Sequence, residues 1–224
     1  MQMYLFLRDL VQIMKKRQFD LFTTFIGCGL RVYLRILNAT VNLNIDGLDR
    51  IENNQMVGYW HGDSLPMELI LSRIKNIEEI NVIVTADKRG DYIEQVIGNY
   101  GANAIRLPDG MNMRPFFRKV VEFGKYSKGI LAASLDGPLG PFHEPKRLLF
   151  LLAERSNKEV ISMNFTYKRV LHLKKRWDNY VILFPFSKVN VIIENMGTIT
   201  KEDLNHFDYI KQKLELRANR KISD

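Results

Sequence analysis

An α/β fold is predicted for this 224-residue chain, with a mostly parallel central sheet flanked by helices and an N-terminal amphipathic helical region. Three observations predict it. Short apolar runs alternate with amphipathic stretches from residue 41 to 165, the order that βαβ units produce. The runs Met56–Trp60, Ile80–Thr85 and Ile130–Leu135 are apolar enough to read as buried strands. Polar, turn-forming residues stand at their ends, where open α/β sheets bind ligands. The length suits one such domain. A hydrophobic fraction of 46% against 26% charged residues excludes general disorder.

The elements follow in order. Met1–Asn38 reads as one or two amphipathic helices, with bulky apolar residues broken by Lys15-Lys16-Arg17. Val41–Ile45 alternates apolar and polar residues, as a half-buried strand does, and Asp46-Gly47 ends it. Met56–Trp60 is the next strand, and Asp63 or Ser64 is placed to cap a helix reaching about Ile74, with Pro66 in its first turn. Strand Ile80–Thr85 precedes a helix over Tyr92–Tyr100 that closes at Gly101. Strand Ala102–Leu107, helix Arg114–Tyr126 and strand Ile130–Leu135 complete the middle of the chain. Helix Arg147–Ser156 and strand Val160–Phe165 follow, then Tyr180–Phe184 and Val189–Ile193 as a pair of strands separated by Pro185-Phe186. The organisation expected is an interfacial helical segment over 1–40, an α/β domain over 41–200 and a polar C-terminal helix or tail over 201–224.

The net charge of +8 favours an anionic partner: nucleic acid, an anionic membrane surface or a phosphorylated substrate. Residues 1–40 carry six Lys/Arg and two Asp among aromatic and aliphatic bulk, the composition of a helix lying in a membrane interface or of one packed on a core with a basic outer face. The apolar run Leu21–Leu30 is half of the roughly 20 residues a spanning helix needs. No secretory signal peptide is apparent. Cys28 is the only cysteine, which excludes an intramolecular disulfide and fits a reducing compartment. It reads as a buried or lipid-facing thiol rather than a nucleophile.

Candidate chemistry gathers at two strand ends. His61 follows Met56–Trp60, and imidazole is suited to taking and giving protons near neutrality. The bland reading is a histidine satisfied within a turn. Asp136 opens Asp136-Gly137-Pro138-Leu139-Gly140-Pro141, a stiff turn whose glycine N–H groups are placed to face an anion or shape a tunnel mouth. Alternatively Asp136 bonds its own backbone in a structural turn. Arg106, near the end of its strand, offers a planar fork to phosphate or is a surface charge. Lys146 and Arg147 add cations after the turn. From Lys168 to Lys188 six Lys/Arg and one Asp mix with aromatics, which suits lipid headgroups, nucleic acid or a solvated loop. Lipid is the preferred functional reading because the N-terminus supplies apolar anchors. No phosphate loop, zinc spacing, serine-hydrolase elbow or recognised nucleic-acid motif is present, and no metal is expected.

Together, Trp60-His61, the Asp136–Pro141 turn, Trp177-Asp178 and Pro185-Phe186-Ser187 resemble the bacterial lysophospholipid acyltransferase-like family of the glycerolipid acyltransferase superfamily. Order and spacing agree over about residues 40–200. The resemblance implies transfer of a fatty acyl group from a thioester of acyl-carrier protein or coenzyme A to a hydroxyl of a lysophospholipid or related lipid. It implies no cofactor beyond that co-substrate, and a peripheral place on the cytoplasmic face of the membrane. His61 is then the general base. Arg106, Asp136, Gly137, Pro138 and Gly140 match substrate-binding positions. The chain departs from the pattern at Pro66, where the superfamily has the aspartate that orients the histidine, at Arg89-Gly90 in place of Asp-Gly, and at Leu107-Pro108-Asp109 in place of small residues. Asp63, Asp87 and Asp91 are the remaining candidates for the orienting carboxylate. A non-catalytic lipid- or membrane-binding module on the same fold is the alternative.

Overall fold

A computed structural model describes residues 29–86, 88–108 and 113–218. Two compact units divide between Ala39 and Thr40. The first contributes all but the last residue of helix α1, residues 29–40; the rest of the expected N-terminal helices and Cys28 lie outside the described residues. No described helix is long and apolar enough to cross a membrane.

The second unit is built on a seven-stranded sheet of order β1-β7-β6-β2-β5-β3-β4. The strands are β1 (Asn42–Asp46), β2 (Gln55–Tyr59), β3 (Ile80–Thr85), β4 (Ala102–Leu107), β5 (Ile130–Ser134), β6 (Glu159–His172) and β7 (Val181–Thr198). Every pairing is parallel except the β6–β7 hairpin. The fold is therefore the α/β type expected. The helices are α2 (Ser64–Leu71), α3 (Lys88–Gly98), α4 (Met113–Tyr126), α5 (Arg147–Ser156), α6 (Lys201–Asn205) and α7 (Phe207–Ala218).

Two differences from the sequence reading have clear causes. The segments read as two short strands, Tyr180–Phe184 and Val189–Ile193, are one strand of 18 residues opposite a 14-residue β6. Pro185-Phe186 interrupts the ladder without ending it: the register shifts between Lys168 and Val170, and Arg169 and Phe186 adopt positive φ. Buried Ser187 stitches the gap, its hydroxyl accepting from the Phe184 N–H at 2.9 Å and donating to the Arg169 carbonyl at 2.6 Å. A bulge of this kind bends a strand pair while keeping it paired. Lys168 and Arg169 consequently belong to a strand, not a loop.

The C-terminal segment is also ordered by packing. Thr200 and Asp203 form a reciprocal capping box at the start of α6. Leu204, Phe207, Ile210 and Leu214 then join the core made by Met56, Phe116, Leu149, Phe150 and Leu152. β2 shows how the sheet serves two faces. Met56 and Trp60 point into this core, whereas Tyr59 lines a cavity on the opposite side.

Candidate functional site

β2 delivers the site. All five of its residues are buried, so the chain leaves the sheet at Trp60 with little freedom. His61–Asp63 form a single 3-10 turn, closed by the Asp63 N–H on the Trp60 carbonyl at 2.9 Å, and α2 begins at once. The neighbouring strand fixes this turn. The Leu135 N–H donates to the Tyr59 carbonyl at 2.7 Å, and buried Asp136 accepts from the His61 backbone N–H at 2.9 Å. The two strand ends singled out in the sequence are thus joined, with Asp136 gripping the backbone of the histidine rather than its ring. Burial raises the Asp136 carboxyl above its ordinary value, and the His61 N–H acts in the other direction.

The ring is oriented from elsewhere. Nδ1 of His61 lies 2.8 Å from Oδ2 of Asp178, whose side chain is wholly buried. Arg176 grips the same carboxylate with a fork: Nε donates to Oδ1 at 2.9 Å and Nη2 to Oδ2 at 2.7 Å. Burial opposes ionisation of Asp178, but hydrogen bonds from Arg176 and His61 outweigh it and hold the carboxyl below its usual value. An ionised carboxylate only accepts, so Nδ1 carries a proton, and in the neutral imidazole the lone pair then sits on Nε2. The Arg176 guanidinium in turn lies 4.7 Å from the centroid of the Tyr180 ring.

Two glycines allow the approach. A Cβ on Gly62 would collide with the Asp178 carbonyl, and one on Gly140 would collide with the Trp177 ring. Gly140 also has φ +69, a backbone region open mainly to glycine. The Trp177 ring in turn lies 5.1 Å from His61. The turn 174–179 therefore closes over the histidine because both motifs carry no side chain there.

Asp63 faces away from the ring. Two residues along a 3-10 turn separate it from His61, so the two side chains diverge. Asp63 borders a second cavity of about 160 Å³ and accepts from the Tyr167 hydroxyl at 2.6 Å. Burial pushes it up to about 7, against the hydrogen bond from Tyr167. Asp91 pairs with Arg106 at 2.8 Å, and Arg106 also binds Glu94 and the Thr85 carbonyl. This cluster ties α3 to β4; a Cβ on Gly90 would collide with it. Asp87 lies outside the described residues. Asp178, not Asp63 or Asp91, is the carboxylate on the histidine.

His61 opens onto a cavity of about 530 Å³ beneath α2 and α3. Gly137, Pro138, Lys146 and Arg176 line it with His61, while Val82, Val84, Ile93 and Ile97 make it aliphatic elsewhere. Arg147 stands apart, its guanidinium 5.2 Å from the centroid of the Phe207 ring. His143, stacked between Trp60 and Phe142, is lowered to about 4 by burial and is neutral at physiological pH.

Sequence reasoning did not find the roles of Asp178 and Arg176. Their signal was present: Asp178 is the one acid among six cations between Lys168 and Lys188.

No family model matches the chain. It is 23% identical over 172 residues to an uncharacterized protein of Rickettsia prowazekii, covering 76% of each chain. Among solved structures, it is similar to the 1-acyl-sn-glycerophosphate acyltransferase PlsC of Thermotoga maritima. The TM-score is 0.56 at 15% identity, over 89% of this chain and 83% of that one. The chain thus has an acyltransferase-like fold.

Proposed function

We propose that the protein transfers a fatty acyl group from an acyl thioester, of coenzyme A or acyl-carrier protein, to a hydroxyl of a lysophospholipid or related lipid. One observation carries this reading: a histidine held by a buried, Arg-clamped aspartate stands at the mouth of an aliphatic cavity with its second nitrogen uncommitted to that pair. The likeness in fold to PlsC supports it.

In this scheme Nε2 of His61 takes the proton of the acceptor hydroxyl as its oxygen attacks the thioester carbonyl. The tetrahedral intermediate collapses with cleavage of the C–S bond, and the thiolate leaves with the proton returned by the imidazolium. Asp178 stabilises that imidazolium and keeps the ring in the reactive tautomer. Asp136 fixes the backbone on which the ring turns. No covalent acyl-enzyme and no resident cofactor is called on. The acyl chain occupies the cavity. The acceptor's anionic headgroup lies by Lys146, while Gly137, Pro138 and Gly140 shape the opening. Arg106 braces α3 rather than binding the acceptor phosphate, because two carboxylates already share its guanidinium.

The same reading puts the protein on the cytoplasmic face of an anionic membrane as a peripheral protein. The basic residues from Lys168 to Lys188 and exposed Leu171, Phe184 and Phe186 suit that surface. The test is acyl transfer from long-chain acyl-coenzyme A and acyl-carrier-protein thioesters to lysophosphatidic acid. His61→Ala is expected to lose about 10²- to 10⁴-fold in rate. Equal rates in the variant and the parent sink the reading.

A further inference from the structure

The cavity contains one group that a plain hydrocarbon chain leaves unsatisfied. Ser64, Glu68 and Leu71 share one face of α2 and line the cavity in that order. Helix rise sets Glu68 about 6 Å beyond Ser64, away from the His61 turn. Glu68 is the only acid lining this cavity among the described residues. Its Oε2 is buried without a hydrogen-bond partner, and no described cation forms an ion pair with it. The cavity walls are mostly aliphatic, with Tyr59 and Tyr180 among them, so the natural occupant is mostly hydrocarbon. Burial pushes the carboxyl up to about 7, which favours an uncharged partner over a cationic one. Tyr59, at the end of β2, lines the same cavity.

We propose that Glu68 selects the acyl chain: the cavity takes a chain bearing a hydroxyl along its length, away from the thioester, and that hydroxyl bonds the Glu68 carboxyl. This rests on the acyl-transfer reading above. An unsubstituted chain of the same length buries the carboxyl with no partner, whereas the hydroxyl supplies both a donor and an acceptor. Polar sites in dry pockets discriminate strongly against ligands that lack the matching group.

The experiment compares acyl-coenzyme A thioesters of one length, unsubstituted or hydroxylated at successive carbons, in the full-length protein and in Glu68→Gln and Glu68→Leu. The parent should favour one hydroxylated chain by about tenfold or more in kcat/KM. Glu68→Gln should keep most of that preference, because an amide still donates and accepts. Glu68→Leu should reverse it while gaining on the unsubstituted chain. Equal use of both chains by the parent, or an unchanged ratio in Glu68→Leu, overturns the assignment. Calorimetric titration with the matching free fatty acids separates this from the function itself. Selective binding of the hydroxylated acid with no turnover of any thioester keeps Glu68 as the selector and removes acyl transfer. Turnover of every chain alike does the reverse.

Discussion

The two faces of the sheet are covered to different depths. On one face α4, α5, α6 and α7 close over a filled core, with Phe150 and Phe207 meeting edge to face at 5.5 Å. On the other, α2 and α3 border a cavity of about 530 Å³ that His61 lines and that reaches Leu148 and Leu149 at the start of α5. Both faces are built from similar aliphatic residues. What differs is what the helices bring: α5 and α7 supply aromatic bulk, whereas α2 and α3 supply smaller side chains and one carboxyl. A packed face holds the strand ends rigid, and a hollow face gives a long apolar ligand somewhere to go. The rigidity of the first is what makes the geometry at the second reproducible.

Asp178→Asn breaks the chemistry of the hollow face most severely and leaves the packed face alone. An amide at this position favours the wrong imidazole tautomer and cannot stabilise the imidazolium. On the proposed function, acyl transfer should fall about 10²- to 10⁴-fold. KM should barely move, because the side chain is buried behind the ring. Steady-state kinetics beside a thermal melt decides it; an unchanged kcat in a folded variant would show that the pair is structural only.

Truncation measures the packing contrast directly. Phe150→Ala, on the filled face, should cost about 3–5 kcal/mol in urea unfolding. Ile93→Ala, which only enlarges an existing cavity, should cost about 1 kcal/mol. Similar losses at both sites would mean that the cavity wall carries as much packing as the core.

The last contrast concerns the two carboxylates beside the His61 turn. Asp178 is kept ionised by a cation, and Asp63 is buried with only a phenol. The native Asp63 carboxyl titrates at about 7 against 3.8 ordinarily. Between those values the native state holds a proton that the unfolded chain has released, so stability falls as pH rises and the penalty is complete above 7. Asp63→Asn removes this penalty and retains an acceptor for Tyr167. Its stability advantage should widen by about 2–3 kcal/mol between pH 5 and pH 8. A pH-independent offset in the denaturation midpoints would place the Asp63 carboxyl outside that range.

Much of the fold was legible. Buried strands announce themselves by apolar runs, and helix α5 was read at its observed bounds because its pattern is strongly amphipathic. The β6–β7 hairpin was underestimated because a bulge repaired by Ser187 looks, in sequence, like a strand break at Pro185. Helices α6 and α7 look in sequence like a polar helix or tail because their four core residues are spaced among charges. At the site, His61 and the Asp136 turn were visible as chemistry at strand ends. Their relation, a carboxylate holding a backbone N–H across neighbouring strands, was not.

The sequence by itself determined the strand and helix alternation, the histidine at the end of β2 and the glycines that punctuate both motifs. These depend on periodicity and local backbone preference, which are written within a few residues of each position. Tertiary structure alone decided that Asp178, 117 residues away, would be the ring's partner and that Asp63, two residues away, would not. Hydrogen bonding depends on distance and direction in space, and the side chains of near neighbours on a tight turn point apart.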